Sequence, residues 1–192
     1  MKNKVTNMQN VIGILRQEYP DAFCALTHSS AFELLIATIL SAQCTDARVN
    51  IVTRDLFQKY RSPADYVAVE RAELESDIHS TGFFKNKAKN IQECCRAILE
   101  RFGGEVPDTM EELITLAGVG RKTANVLLGN WFGKNEGITV DTHVTRLMNL
   151  LGFVQTTNAE IIERELMPLV PKELWTDFTH LIISHGREIC IA

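Results

Sequence analysis

The 192-residue sequence predicts an all-α fold in two lobes. Three observations carry that expectation. Apolar residues recur at helical spacing in one segment after another. Capping signals stand in front of those segments. No stretch alternates long enough to be a strand, and Ile138-Thr139-Val140, though β-prone, is too short.

The elements follow in chain order. Ser30 with Glu33 has the capping-box spacing, and Phe32, Leu35, Ile36, Ile39 and Leu40 then mark one buried helix face. Ser62-Pro63 sets a cap before a proline at the first helical position. Ala88, Ile91, Cys95, Ile98, Leu99 and Phe102 repeat the helical period until Gly103-Gly104, where glycine tolerates the left-handed cap. Thr109 with Glu112 opens a short helix through Leu116. Gly118-Val119-Gly120 and then Arg121-Lys122-Thr123-Ala124 read as a tight glycine hairpin into a further helix. Gly133 and Gly137 offer a crossing point between lobes. Asp141-Thr142 precedes a helix that stops near Gly152, and Thr157 with Glu160 starts another. Leu174, Phe178, Leu181, Ile182 and His185 mark the last helix, which should fray after His185 if apolar packing alone holds it.

Composition narrows the function classes. Hydrophobic content of 45% and charged content of 23% exclude disorder and low complexity. The opening Met1-Lys2-Asn3-Lys4 leads into no signal peptide, and the apolar run Leu34 to Leu40 is far too short to cross a bilayer. The expectation is a cytoplasmic, monomeric protein without membrane contact. The five cysteines match neither a zinc pattern nor a disulfide framework, so buried thiols are expected. A net charge of −4 argues mildly against a polyanion partner, but affinity for DNA depends on where the cations stand. Lys85, Lys87, Lys89, Arg96 and Arg101 form one basic stretch, and Arg121 with Lys122 a second; each reads as a solvated helix face or as a DNA contact.

The hairpin is the most informative segment. Gly118 and Gly120 let the backbone turn sharply and approach another object closely. The helix that follows presents amides at its N-terminus, so turn and helix together make a seat for a phosphate. A plain αα-hairpin has the same geometry. Local reading leaves Lys122 an exposed, inert lysine, Asp141 an N-cap, Asp46 a cap for the helix leading to Val49, and Phe83 a core residue.

The residues themselves change that weighing. Leu116-Ala117-Gly118-Val119-Gly120-Arg121-Lys122-Thr123-Ala124 resembles the helix-hairpin-helix of the DNA glycosylase superfamily, with Ala117 where a proline is common. Asp141 stands nineteen positions after Lys122, and Val140-Asp141-Thr142-His143 resembles that family's catalytic segment. Leu40-Ser41-Ala42-Gln43-Cys44-Thr45-Asp46, Gly82-Phe83-Phe84-Lys85-Asn86-Lys87-Ala88 and His185-Gly186-Arg187 are further matches, and the nearest branch is that of endonuclease III. The resemblance runs from about residue 10 to the end.

The resemblance implies a two-lobed helix-hairpin-helix glycosylase fold with a DNA-binding cleft. Residues 24–135 would form a six-helix barrel domain, and residues 1–23 would join 136–192 in a second helical domain. It implies a bifunctional glycosylase and apurinic/apyrimidinic lyase of base excision repair, taking oxidised pyrimidines from double-stranded DNA in the cytoplasm or nucleoid of a bacterium or archaeon. Lys122 would be the nucleophile, its neutral form favoured by desolvation, by Arg121 and by the positive helix end. Asp141 would be the catalytic carboxylate. Gly118, Val119, Gly120, Arg121, Lys87 and His143 would contact DNA, with His143 also supporting helix packing. Gln43 and Phe83 would fill the gap left by an extruded base, and Asp46 would support the active site. A mismatch adenine glycosylase, which generally lacks the lysine, and a non-catalytic helix-hairpin-helix module are the rivals.

One departure stands out. Relatives usually continue past His-Gly-Arg with four cysteines that hold a 4Fe-4S cluster, whereas Cys190 supplies the first ligand and the sequence then stops. One thiolate cannot hold such a cluster, so no cofactor is expected in the chain as given, and a cluster only if the native chain extends beyond Ala192.

Overall fold

The helices of the computed structural model, which describes residues 2–191, follow in chain order as α1 (Lys2–Glu18), α2 (Ala31–Ser41), α3 (Asp46–Lys59), α4 (Pro63–Ala68), α5 (Arg71–Asp77), α6 (Phe84–Phe102), α7 (Met110–Leu113), α8 (Arg121–Asn130), α9 (Thr142–Leu150), α10 (Ala159–Leu166) and α11 (Trp175–Glu188). His79–Thr81 and Lys172–Leu174 are 3-10 turns, and the described residues contain no strand. The chain divides into two compact units, Ala25–Phe132 and Met1–Cys24 with Gly133–Ala192.

In the unit Ala25–Phe132, α2 is the central helix. Ser30 caps it by accepting the Glu33 amide at 3.1 Å. Every residue from Leu34 to Leu40 is buried, so α2 is enclosed all round instead of on the one face that its spacing suggested. α3, α6 and α8 pack against it. Ser62 caps α4 as expected, with Pro63 in the first turn and Asp65 closing the box through the Ser62 amide at 2.9 Å. Those hydrogen bonds, the Ser62 hydroxyl first, hold the Asp65 carboxyl below its ordinary range. Gln92 of α6 donates to the carbonyls of Tyr66 and Val69 and accepts from Arg71, which joins α6 to the end of α4 and the start of α5. α6 ends at Gly103 (φ +62°), and Gly104 donates back to the Ile98 carbonyl.

In the other unit, Met8, Ile12 and Leu15 place one face of α1 in a core built with α9, α10 and α11. α1 was not foreseen, because its sequence is largely polar and its exposed side includes an apolar residue, Ile14, that blurs the helical pattern. Ile138 and Val140 are buried on an irregular segment, and the Thr139 carbonyl accepts from Thr179. Asn158, one residue beyond Thr157, caps α10 by accepting the Ile161 amide at 3.1 Å. Nor does the last helix fray after His185. α11 continues to Glu188, and the Cys190 amide donates to the His185 carbonyl at 3.0 Å. Arg146 donates to the Gly186 carbonyl at 3.2 Å and to Cys190 Sγ at 3.3 Å, while Tyr19 Oη lies 3.2 Å from His185 Nδ1. Polar ties, added to apolar packing, hold this end.

Candidate functional site

The hairpin is built by a division of labour between its glycines. Thr109 caps α7, and the chain then turns so that the Val119 amide donates to the Leu116 carbonyl at 3.1 Å. Gly118 has φ +77°, and a Cβ there would stand 3.0 Å from Asn90 Cβ of α6. Only glycine suits both conditions. Val119 turns its side chain inward and is 6% exposed, so it anchors the turn and leaves only backbone to meet a ligand. Gly120 differs from the expectation of a strained glycine. Its backbone is extended, at φ −95° and ψ 178°, with no atom within 4 Å of a built Cβ. It stands at the N-cap of α8 and offers no capping side chain, which leaves space in front of the first-turn amides. Arg121 and Lys122 are exposed in that turn, so the desolvation expected at Lys122 is absent from the protein without DNA, and Lys122 forms no salt bridge among the described residues.

Asp141 caps α9: its Oδ1 accepts the Val144 amide at 2.8 Å. Its Oδ2 takes no hydrogen bond or ion pair among the described residues, so one carboxylate oxygen orients the other. His143 is half-buried, and its Nδ1 is sealed from solvent without a partner. The ring lies against Gly186 of α11, where an added Cβ would come within 2.6 Å of Nδ1. His143 therefore packs α9 on α11, and Gly186 makes room for it, a role that the matched His185-Gly186-Arg187 did not disclose.

Gln43 lies on the turn between α2 and α3, where the Cys44 amide donates to the Ser41 carbonyl at 3.0 Å. Phe83 is the N-cap of α6. Both are exposed, Phe83 to 64%, so the reading of Phe83 as core is overturned. Asp46 is the first residue of α3, and the cap is Thr45, whose Oγ1 accepts the Arg48 amide at 3.3 Å. Lys87 departs furthest from expectation. It is 4% exposed, and its ammonium donates to the carbonyls of Leu40 and Thr81, each at 2.8 Å. A cation spent in this way is not available to a phosphate.

Within Ala25–Phe132, α6 gathers these parts. Its N-cap is Phe83, its first turn carries Lys87, and Asn90 one turn later supports Gly118. Asn90 left no signal in the sequence. Asp141, His143, Arg146 and Cys190 belong to the other unit.

The donor set does not fit an iron–sulfur cluster. No group of three or more His, Cys, Asp or Glu among the described residues could hold a metal ion. Cys94 and Cys95 are buried in α6, where burial pushes the Cys94 thiol up to about 12 and the Cys95 thiol up as well. Metal ligation needs the thiolate, and burial disfavours it.

Known proteins match along the whole chain. Residues 36–172 match the family described as HhH-GPD superfamily base excision DNA repair protein. Endonuclease III of Synechocystis sp. is 53% identical over 192 residues, which cover 100% of this chain and 88% of that protein. Endonuclease III of Bacillus subtilis is 51% identical over 175 residues, 91% of this chain and 80% of that one. The fold superposes on a trapped endonuclease III–DNA covalent intermediate with a TM-score of 0.94 and 47% identity, covering 98% of this chain and 88% of that one. A thermostable thymine-DNA glycosylase, at 22% identity and a TM-score of 0.84, shares the fold alone. With a match of this extent, added to a glycine hairpin that leads into Lys122 and an Asp141 that caps the next helix, the chain belongs to the HhH-GPD superfamily of base excision DNA repair proteins.

Proposed function

We propose that this chain is a DNA glycosylase with apurinic/apyrimidinic lyase activity that removes oxidised pyrimidines from double-stranded DNA. The observation that carries the reading is the retained pair: an exposed lysine directly behind the glycine hairpin, and a capping aspartate with one oxygen to spare. Lys122 Nζ, as the neutral amine, attacks C1′ of the damaged nucleoside. The C1′–N bond breaks, and the base leaves with its electron pair and takes up a proton. The free oxygen of Asp141 stabilises positive charge developing at C1′ and accepts a proton from the lysine. The ring then opens to an imine between Lys122 and C1′. Loss of a C2′ proton expels the 3′-phosphate by β-elimination, and water releases the lysine.

The backbone of Gly118 to Gly120 and the start of α8 seats a phosphate without reading sequence, and Arg121 adds charge beside it. Gln43 and Phe83 occupy the place of the extruded nucleotide. The reading takes residues 24–135 as the barrel domain, which the compact unit Ala25–Phe132 supports, and the activity belongs in the compartment that holds chromosomal DNA. Lys122 disfavours the adenine-glycosylase rival, which generally lacks that lysine. Duplex DNA carrying an oxidised pyrimidine should be nicked at the lesion by the purified protein, and borohydride should trap a covalent complex. Intact strands after prolonged incubation at excess enzyme would rule the reading out.

A further inference from the structure

Among the described residues other than glycine, Gln43 (φ +52°) and Phe83 (φ +48°) adopt left-handed backbone. Each such conformation costs on the order of 1 kcal/mol and persists only where its surroundings enforce it. Both side chains are exposed, so the strain earns no burial of Phe83 or Gln43. A strained backbone presenting side chains to solvent points to a use outside the chain itself.

Lys87 ties the two turns together. Its ammonium holds the Leu40 carbonyl, three residues ahead of Gln43 in the last turn of α2, and the Thr81 carbonyl, two residues ahead of Phe83 at the end of the 3-10 turn. Thr81 is itself fixed, because its hydroxyl and amide both donate to the Ile78 carbonyl. Among the described residues no carboxylate pairs with this ammonium. Burial lowers its pKa, the expected response of a cation in an apolar setting. The negative ends of α2 and of the 3-10 turn offset part of that cost. A buried cation without a counter-charge is an expensive strut, and it joins the two strained turns.

We propose that Lys87 is a positioning residue for nucleotide extrusion, fixing Gln43 and Phe83 as a matched pair that enters the base stack together. The proposal rests on the reading of the chain as an enzyme acting on a base in duplex DNA. Opening the stack costs a few kcal/mol, and inserted side chains offset it only if both stand in register with the same gap. Lys87 sets that register from behind, through two carbonyls, without touching DNA.

The test uses Lys87→Met, which keeps the apolar stem and removes the three donors. Three quantities are read: fluorescence of 2-aminopurine placed opposite the lesion, nicking of duplex lesion DNA, and cleavage of a preformed abasic site in single-stranded DNA, where no stack has to open. The ratio of duplex to single-strand activity should fall at least about tenfold, and the fluorescence rise should fall with it. In a Gln43→Ala/Phe83→Ala background the same substitution should change that ratio less than about twofold, because residues acting through one another are not additive. Normal fluorescence, an equal loss on both substrates, or a fully additive loss in the triple variant would overturn the proposal. If Lys87→Met does not fold, Lys87→Gln is read in the same way. Wild-type protein that fails to nick duplex DNA overturns the enzymatic reading instead, so the two failures are told apart.

Discussion

Asp141 gives one carboxylate oxygen to the Val144 amide and keeps the other, which separates its folding role from the chemical role proposed for it. Asparagine caps a helix about as well as aspartate. Asp141→Asn should therefore cost less than about 1 kcal/mol in denaturant unfolding, yet lower turnover by about two orders of magnitude or more. A variant of near-normal rate would leave only the cap. Lys122 makes the opposite case, since an exposed side chain without a salt bridge contributes little to stability. Lys122→Gln should unfold within about 0.5 kcal/mol of wild type. It should still bind lesion DNA while losing the borohydride-trapped complex, and undiminished trapping would move the nucleophile elsewhere. Both proposed site residues could be picked out of the sequence because short local motifs carry them. The setting of Lys87 could not be, because a lysine within a basic stretch looks the same whether its ammonium meets water or two buried carbonyls.

At the scale of the element, the hairpin divides one sequence pattern into two physical jobs. Gly118 combines positive φ with Asn90 at contact, so Gly118→Ala should destabilise the fold by roughly 1–3 kcal/mol. Gly120 has neither constraint, and Gly120→Ala should cost less than about 1 kcal/mol as a change of N-cap. Its methyl group would instead fill the space in front of the α8 amides. Binding of damaged and undamaged duplex should weaken together, since a phosphate contact carries no sequence information. Melting temperatures and binding isotherms for the two variants separate these outcomes: an effect confined to lesion DNA would put the hairpin in the base pocket. The Gly-Val-Gly pattern announced a turn. Which glycine bears the strain depends on Asn90, 28 residues earlier, and no local pattern carries that information.

Across the whole molecule, what could be read in advance was what short range encodes: the caps Ser30, Ser62 and Thr109, the helical periods, and the Gly103-Gly104 stop. What escaped depends on long-range contact, such as the α1 face that meets the second core and the reach of Arg146 to Gly186 and Cys190. The same long-range contacts bear on iron. A cubane cluster takes four thiolates. Cys44, Cys94 and Cys95 lie in one unit, two of them side by side and buried, while Cys24 and Cys190 lie in the other. Cys190 Sγ already accepts from Arg146. The 192-residue chain, purified anaerobically, should therefore be colourless and free of stoichiometric iron, with α11 held through Glu188 by Arg146. Iron analysis and a visible spectrum test the first half. Amide exchange tests the second: Arg146→Met should speed exchange at Ile189 and Cys190 by about tenfold, the loss expected for a hydrogen bond from a charged donor worth roughly 1.5 kcal/mol. Unchanged exchange would mean that packing alone holds the helix end. Stoichiometric iron and sulfide would mean that ligands from more than one chain complete a site that this sequence begins at Cys190.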